Sequence, residues 1–393
     1  MDYTSGSLRE QIQRCEQEMR NPGSVLFSQA RYEIVRTLGQ GGMGITCLAE
    51  EISTDNLKRP VVLKFVKDSL SPQRLSQFLN EVQLSILFNH PNLVPMYRLE
   101  SEVITVEPDR SVAANRRRRG HTVYYAVMQF IDGWNLRQIV SRMRELGLIL
   151  HPDISLFMIG RVARGLHYVH EYRDENGGHL ALVHRDVSPE NILVDRFARI
   201  KVSDFGIAMA TKRTALEGFL HAGNLLYCAP EQLSGIQLDR RCDIYNIGLL
   251  MYFMFTNTDR FAPELRQSDS RERIRRKMSR SPLDDMQHID ERLARMCDTC
   301  LAEDPESRYQ NCEDLANDID IYFQKSQKVV TNEQLEEILH DVFSPKPTFV
   351  SRRFIPLTGS AVLEQPGFDP ASISSEPEPA NPMDTALLNE QHD

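Results

Sequence analysis

The sequence predicts an α+β fold in which a small antiparallel sheet comes first and a large, mostly helical portion follows. Three observations predict it. Between Tyr32 and Gln129 apolar and polar residues alternate in short runs, the pattern of half-buried strands. A glycine cluster, Gly39, Gly41, Gly42 and Gly44, separates the first two runs as a turn. From residue 135 onward the apolar spacing changes to three and four. In 154–172 it places Leu156, Ile159, Val162, Ala163, Leu166 and Val169 on one side of a helix.

Composition narrows the class. The 393 residues, 26% charged and 41% hydrophobic, suffice for two or three domains' worth of core in a mostly globular chain. No run of 18 apolar residues occurs, and the longest candidate, 247–255, reads as a short buried helix, so no membrane span is expected. Residues 1–21 are mixed and charged without the apolar centre of a signal peptide, so a cytoplasmic location is expected. The seven cysteines are unevenly spaced, which argues against a disulfide framework. Cys297 and Cys300 form a C-x-x-C that would suit a metal half-site or a redox pair. No second half-site at zinc spacing accompanies it, and two helix cysteines near a core are the plainer reading. A net charge of -9 speaks against nucleic-acid binding as the main task.

In chain order, 8–19 reads as a helix broken by Asn21-Pro22-Gly23, within an N-terminal extension of residues 1–29. Strands are expected at 32–36, 45–49 and 61–66. Lys64 lies among apolar neighbours in the third, where an unpaired lysine is costly, and its natural partner is Glu81 on a helix over 72–89. Strands at 93–97 and 122–129 flank a long loop holding Arg116, Arg117, Arg118 and Arg119. That run would suit phosphate, RNA or an acidic partner, or is a solvated loop. Helices follow at 135–146 and 154–172, then a polar turn at 173–178.

The stretch Val183-His184-Arg185-Asp186-Val187-Ser188-Pro189-Glu190-Asn191, with Asp204-Phe205-Gly206 after it, carries the chemistry. Each short motif is weak alone. Set in order with Gly39-x-Gly41-x-x-Gly44 and Lys64 over about 170 residues, they resemble the protein kinase catalytic core. The form of the glycine loop is similar to that of bacterial serine/threonine kinases. The resemblance runs from about Tyr32 to Phe323 and implies a bilobal fold that uses ATP and Mg²⁺ on a protein substrate.

It also implies roles. Asp186 accepts the proton of the incoming hydroxyl, and Lys64 with Glu81 holds the α and β phosphates. Asn191 and Asp204 are the metal ligands. Gly39, Gly41 and Gly44 admit the phosphates to backbone amides, Thr46 and Val62 roof the adenine, Met128 is the gatekeeper, and the backbone of Gln129 to Ile131 faces adenine. Thr211 and Thr214 are the only threonines of the activation segment; either could take a phosphate held by Arg185, or both are solvated loop residues. Ala229-Pro230-Glu231 ends that segment, with Glu231 pairing Arg308 and Asp243 bracing the catalytic loop. The sequence departs from the family at Ser188, where serine/threonine-specific members carry lysine, and at Asn224, where threonine is usual. Thr46 and Val62 also replace the usual valine and alanine.

Expected domains are the kinase domain at 30–325, a flanking helix and strap at 326–362, with the helix near 331–342, and an acidic disordered tail at 363–393. That tail is a second candidate occupant for the arginine run. The expected function is transfer of the ATP γ-phosphoryl to serine or threonine of proteins. The alternative is a pseudokinase or scaffold with little turnover; against it stands the survival of Lys64, Asp186 and Asp204.

Overall fold

A computed structural model describes residues 25–27, 31–40, 44–66, 72–106, 119–205, 224–234, 238–265, 270–344 and 354–356. The alternating segments form β1 (Val25–Phe27), β2 (Arg31–Gln40), β3 (Gly44–Ile52) and β4 (Lys58–Val66), with helix α1 (Pro72–Ile86) preceding β5 (Met96–Val106) and β6 (Arg119–Gln129). They build one six-stranded sheet in the order β1-β2-β3-β4-β6-β5, antiparallel in every registered pair. Alternation puts Tyr32, Leu63, Phe65 and Tyr125 into a shared core, where the Tyr32 and Tyr125 rings meet edge to face at 6.0 Å. Glu100 is buried beside them. Its carboxylate accepts from the hydroxyls of Tyr32 (2.9 Å) and Tyr125 (3.1 Å) and from Arg98 Nε (2.5 Å), which satisfies the charge.

Several boundaries differ from expectation: β2 runs on to Gln40, β4 starts at Lys58 and β6 starts at Arg119, which was expected in the loop, while two further differences have a visible cause. The strand expected at 93–97 is β5, beginning only at Met96, because the backbone before it is engaged elsewhere. Val94 N donates to Val202 O and Val202 N to Asn92 O, both at 2.9 Å, so this segment is stitched to the large lobe. Helix α1 stops at Ile86, where Leu87 N and Phe88 N turn to carbonyls three residues back.

The large lobe follows β7 (Gly133–Asn135). It contains α2 (Leu136–Glu145), β8 (Leu148–Leu150), α3 (Pro152–His170), β9 (Ile192–Asp195), β10 (Ile200–Val202), α4 (Pro230–Ser234) and α5 (Arg241–Thr256). Beyond these lie α6 (Ala262–Leu265), α7 (Ser270–Met278), α8 (Glu291–Cys300), α9 (Cys312–Ser326) and α10 (Asn332–Phe343). Strands β10, β9 and β7 make a small sheet. Helix α5 is mostly apolar and buried continuously over 242–255, as a central helix must be, with Asp243 and Asn246 as its buried polar residues. Cys297 and Cys300 are fully buried on α8, and a Cβ on Gly248 of α5 would stand 2.8 Å from Cys300 Cβ. The pair is therefore part of a close helix crossing. Helix α10 starts in a capping box between Thr331 and Gln334 and buries Leu335, Ile338, Leu339 and Val342.

Among the described residues no helix is long and apolar enough to cross a membrane. The helix expected at 8–19, Gly41, Arg116 to Arg118, Thr211, Thr214 and the tail from 363 lie outside the described residues; of Arg119 only the backbone is described.

Candidate active site

Strand β4 carries Lys64 opposite Thr46 of β3 on one side and Ala126 of β6 on the other. Its Nζ bonds Asp204 Oδ1 at 2.5 Å, and the side chains are 18% and 40% exposed, so the pair faces an open cleft. The expected partner was Glu81, and no ion pair joins Lys64 to it here. Burial pushes the Glu81 carboxyl up to about 7 against the pull of Lys64, with Asp204 and Asp186 raising it further. Asp204, in contact with Lys64, is held below the usual carboxylate range, by the Lys64 charge above all. Burial pulls Lys64 down, but Asp204 and Glu81 outweigh it and the net direction is upward.

The catalytic loop is held from behind. Asp243, fully buried on α5, accepts the backbone N–H of His184 through Oδ2 and that of Arg185 through Oδ1, both at 2.7 Å, while Oδ2 also meets His170 Nε2 at 2.8 Å. This clamp holds Arg185 at φ 68°, a left-handed conformation that a side chain disfavours; Asp204 is likewise left-handed at φ 56°. His184 Nε2 lies 3.0 Å from Ser203 O, and its ring packs at 4.7 Å on Phe205, which ties the two motifs together.

Asn191 Nδ2 donates to Asp186 O at 2.8 Å and to Asp186 Oδ2 at 3.2 Å. That use of the amide nitrogen leaves Asn191 Oδ1 as an oxygen donor, and Asn191 O accepts from the N–H of Ser203, the residue before Asp204, at 2.9 Å. One carboxylate and one amide oxygen suit a hard divalent cation that takes its other ligands from phosphates and water, so the residues fit Mg²⁺. Burial raises the Asp186 carboxyl and Asp204 adds to it, against the opposing effects of His184 and the Asn191 bond. Ser188 is buried just before the 3-10 turn Pro189–Asn191, and its hydroxyl does not cap that turn.

Val62 stands opposite Met128 in register, and both pack with Val94 against Ile131 and Leu193. Leu193 was not among the residues expected at the site; its signal was the apolar run Ile192-Leu193-Val194 directly after Asn191. Gln129 N donates to Pro95 O at 3.0 Å, so within the Gln129 to Ile131 backbone expected to face adenine this one N–H is already engaged. Thr46 is half-buried on β3. Gly39 has open space around its Cα, whereas a Cβ on Gly44 would stand 1.8 Å from Phe65 O, so Gly44 is required by strand packing as well.

Glu231 and Arg308 form a bidentate pair at 2.7 and 2.9 Å. Arg185 Nε is buried and meets no acceptor among the described residues. A second cluster was not anticipated. Arg137 bonds Glu190 at 2.8 Å and Asp259 at 2.7 Å, and Tyr227 OH donates to Asp259 at 2.6 Å, which links the catalytic loop to the end of the activation segment.

The family model described as "Protein kinase domain" matches residues 32–318. The tyrosine-protein kinase MasK of Myxococcus xanthus is 28% identical over 294 residues, which are 74% of this chain and 43% of MasK. The serine/threonine-protein kinase PrkC of Bacillus subtilis is 27% identical over 299 residues, 75% of this chain and 40% of PrkC. The chain thus spans about two fifths of the length of these curated relatives. The crystal structure of the Mycobacterium tuberculosis PknI kinase domain superposes with a TM-score of 0.51 at 21% identity, covering 77% of this chain and 98% of that one, a likeness of fold.

Proposed function

The chain belongs to the protein kinase family, and from that premise we propose that it transfers the γ-phosphoryl group of ATP to serine or threonine hydroxyls of protein substrates. The observation that carries this reading is the pairing of Lys64 with Asp204 at 2.5 Å and of Asn191 with Asp186 at 3.2 Å, the two pairs being linked through the Ser203 N–H on Asn191 O. Lys64 would hold the α and β phosphates, and Asp204 and Asn191 would hold Mg²⁺, which when bound would neutralise charge on the transferring phosphoryl group. Asp186 receives the proton of the attacking hydroxyl as the new P–O bond forms and the bond to ADP breaks. Burial raises this carboxyl, and the Asn191 bond to Oδ2 acts against that rise by favouring the charged, proton-accepting form.

Serine/threonine specificity is supported by the likeness to PrkC, while MasK carries a tyrosine kinase name. Phosphoamino-acid analysis of the product decides between them. Arg185, with its buried and unmatched Nε, is proposed to receive a phosphate on Thr211 or Thr214. Because ATP is consumed, the domain is proposed to work on the cytoplasmic side.

The test is phosphorylation of a generic basic protein with labelled ATP. Asp186→Asn should lower kcat by about 10²-fold or more while ATP binding in calorimetry stays near that of the parent. Retained transfer by the variant would refute the assignment of Asp186.

A further inference from the structure

Helix α10 lies beyond the residues matched by the family, yet it is built into the lobe beside the hinge. Its last residue, Phe343, stacks face to face on Trp134, with ring centroids 4.1 Å apart and an interplanar angle of 6°. Arg142 Nε of α2 donates to Val342 O at 3.3 Å and fixes the helix end there. Trp134 is the second residue after Asp132, in the strand that leaves the hinge.

The other face of this arrangement leads to the nucleotide cleft. In β7 and β9, Trp134 is registered with Val194, Asn135 with Leu193 and Gly133 with Asp195. Gly133 lies so close to β9 that a Cβ would stand 2.0 Å from Val194 O, so the two backbones are in tight contact there. Arg196 N donates to Asp132 O at 3.0 Å, its Nε meets Asp132 Oδ2 at 2.7 Å, and its guanidinium lies 5.9 Å from the Trp134 ring centroid. The Arg196–Asp132 ion pair is exposed and contributes little by itself. The backbone bond and the strand register carry the coupling. Leu193 on this strand packs with Val62, Met128 and Ile131, the apolar lining of the cleft.

We propose that Phe343 is a positioning residue for the nucleotide: by stacking on Trp134 it sets the hinge at Asp132 and the cleft floor at Leu193, so that helix α10 tunes affinity for ATP. This rests on the kinase reading above. A conformational change of α10, or a partner that lifts it from Trp134, then alters ATP binding without touching a catalytic group.

The test uses the full chain and three forms, the parent, Phe343→Ala and Phe343→Tyr, each checked by thermal unfolding. Calorimetry with Mg·ATP and steady-state kinetics are read together with the emission of Trp134, the only tryptophan in the sequence. Losing one aromatic stack should weaken ATP binding and raise KM for ATP by about three- to tenfold, leave kcat within about twofold, and be restored by tyrosine. ATP should shift Trp134 emission in the parent and less so in Phe343→Ala. A folded Phe343→Ala with parental ATP affinity overturns the inference, as does an equal fall in kcat that tyrosine fails to restore. A parent that binds no ATP overturns the kinase reading itself, a result distinct from either.

Discussion

Glu81 occupies an uneasy position: a carboxyl close enough to Lys64 to feel its charge, in a site where Asp204 has taken the bond. Burial first, then Asp204 and Asp186, push it up to about 7 in spite of Lys64. A carboxyl whose folded pKa is raised binds its proton more tightly in the folded chain, so it lowers stability progressively as pH climbs from its unfolded value through the folded one. Glu81→Gln, always neutral, should therefore exceed the parent in stability at about pH 8 by roughly 1–2 kcal/mol, discounted for partial exposure, and lose that margin toward about pH 4.5. Urea titrations at the two pH values check this; a margin that grows on acidification would contradict the sign. The same change should lower kcat/KM if Glu81 takes Lys64 when Asp204 binds metal. At this scale the sequence was legible where a role depends on local spacing, as with Asp186, Asn191 and Asp204. The Lys64–Asp204 bond was not, because its two partners lie 140 residues apart and residue spacing alone does not show which of two carboxylates reaches the lysine. The Arg137 cluster was hidden for a similar reason: its partners lie 53 and 122 residues away.

Whole elements were easier to read than their ends. Alternation found β2, β3, β4 and β6, and the spacing of three and four found α3 and α10, since each element buries one face. The start of β5 was misread because Leu93 and Val94 are apolar for a different purpose, pairing with Val202 across the lobes. The C-x-x-C of α8 shows how packing resolves an open motif. Cys297 Sγ lies 3.4 Å from Gly248 O, burial pushes both thiols upward, and Gly248 is the position that lets α5 and α8 approach. Gly248→Ala would gain up to about 1 kcal/mol of helix propensity. It would also force a methyl to within 2.8 Å of Cys300 Cβ and Leu301 Cγ, both in a packed core. Overpacking of this kind costs about 1–3 kcal/mol, so a net loss of roughly 1–2 kcal/mol is expected in chemical denaturation. A stabilised variant would mean that the two helices can separate freely.

Across the whole molecule the large lobe is one continuous core that includes Phe88 near its junction with the sheet and Val342 in the appended helix. Buried charge within such a core must be matched completely, and Arg308 shows how. Its guanidinium donates to both carboxylate oxygens of Glu231 and to the carbonyls of Ala302, Glu303 and Arg241, while its Cζ lies 4.8 Å from the Tyr245 ring centroid. The Arg308 side chain is fully buried and that of Glu231 is 10% exposed. One residue thus joins α4, at the end of the activation segment, to α5 and to the approach to α9. Removing either charge leaves the other buried without its counter-ion, which costs about 3–5 kcal/mol. Arg308→Ala and Glu231→Ala should each lose about that much, and the double variant should lose far less than their sum, because the second substitution removes a charge already stranded by the first. Arg308→Lys should recover only part, since an ammonium cannot reproduce the planar set of donors. Equilibrium unfolding of the four forms, with phosphotransfer measured in parallel, separates two cases. Strong coupling in stability is expected with a loss of activity in Glu231→Ala, while additive losses would show that the pair does not act as a unit.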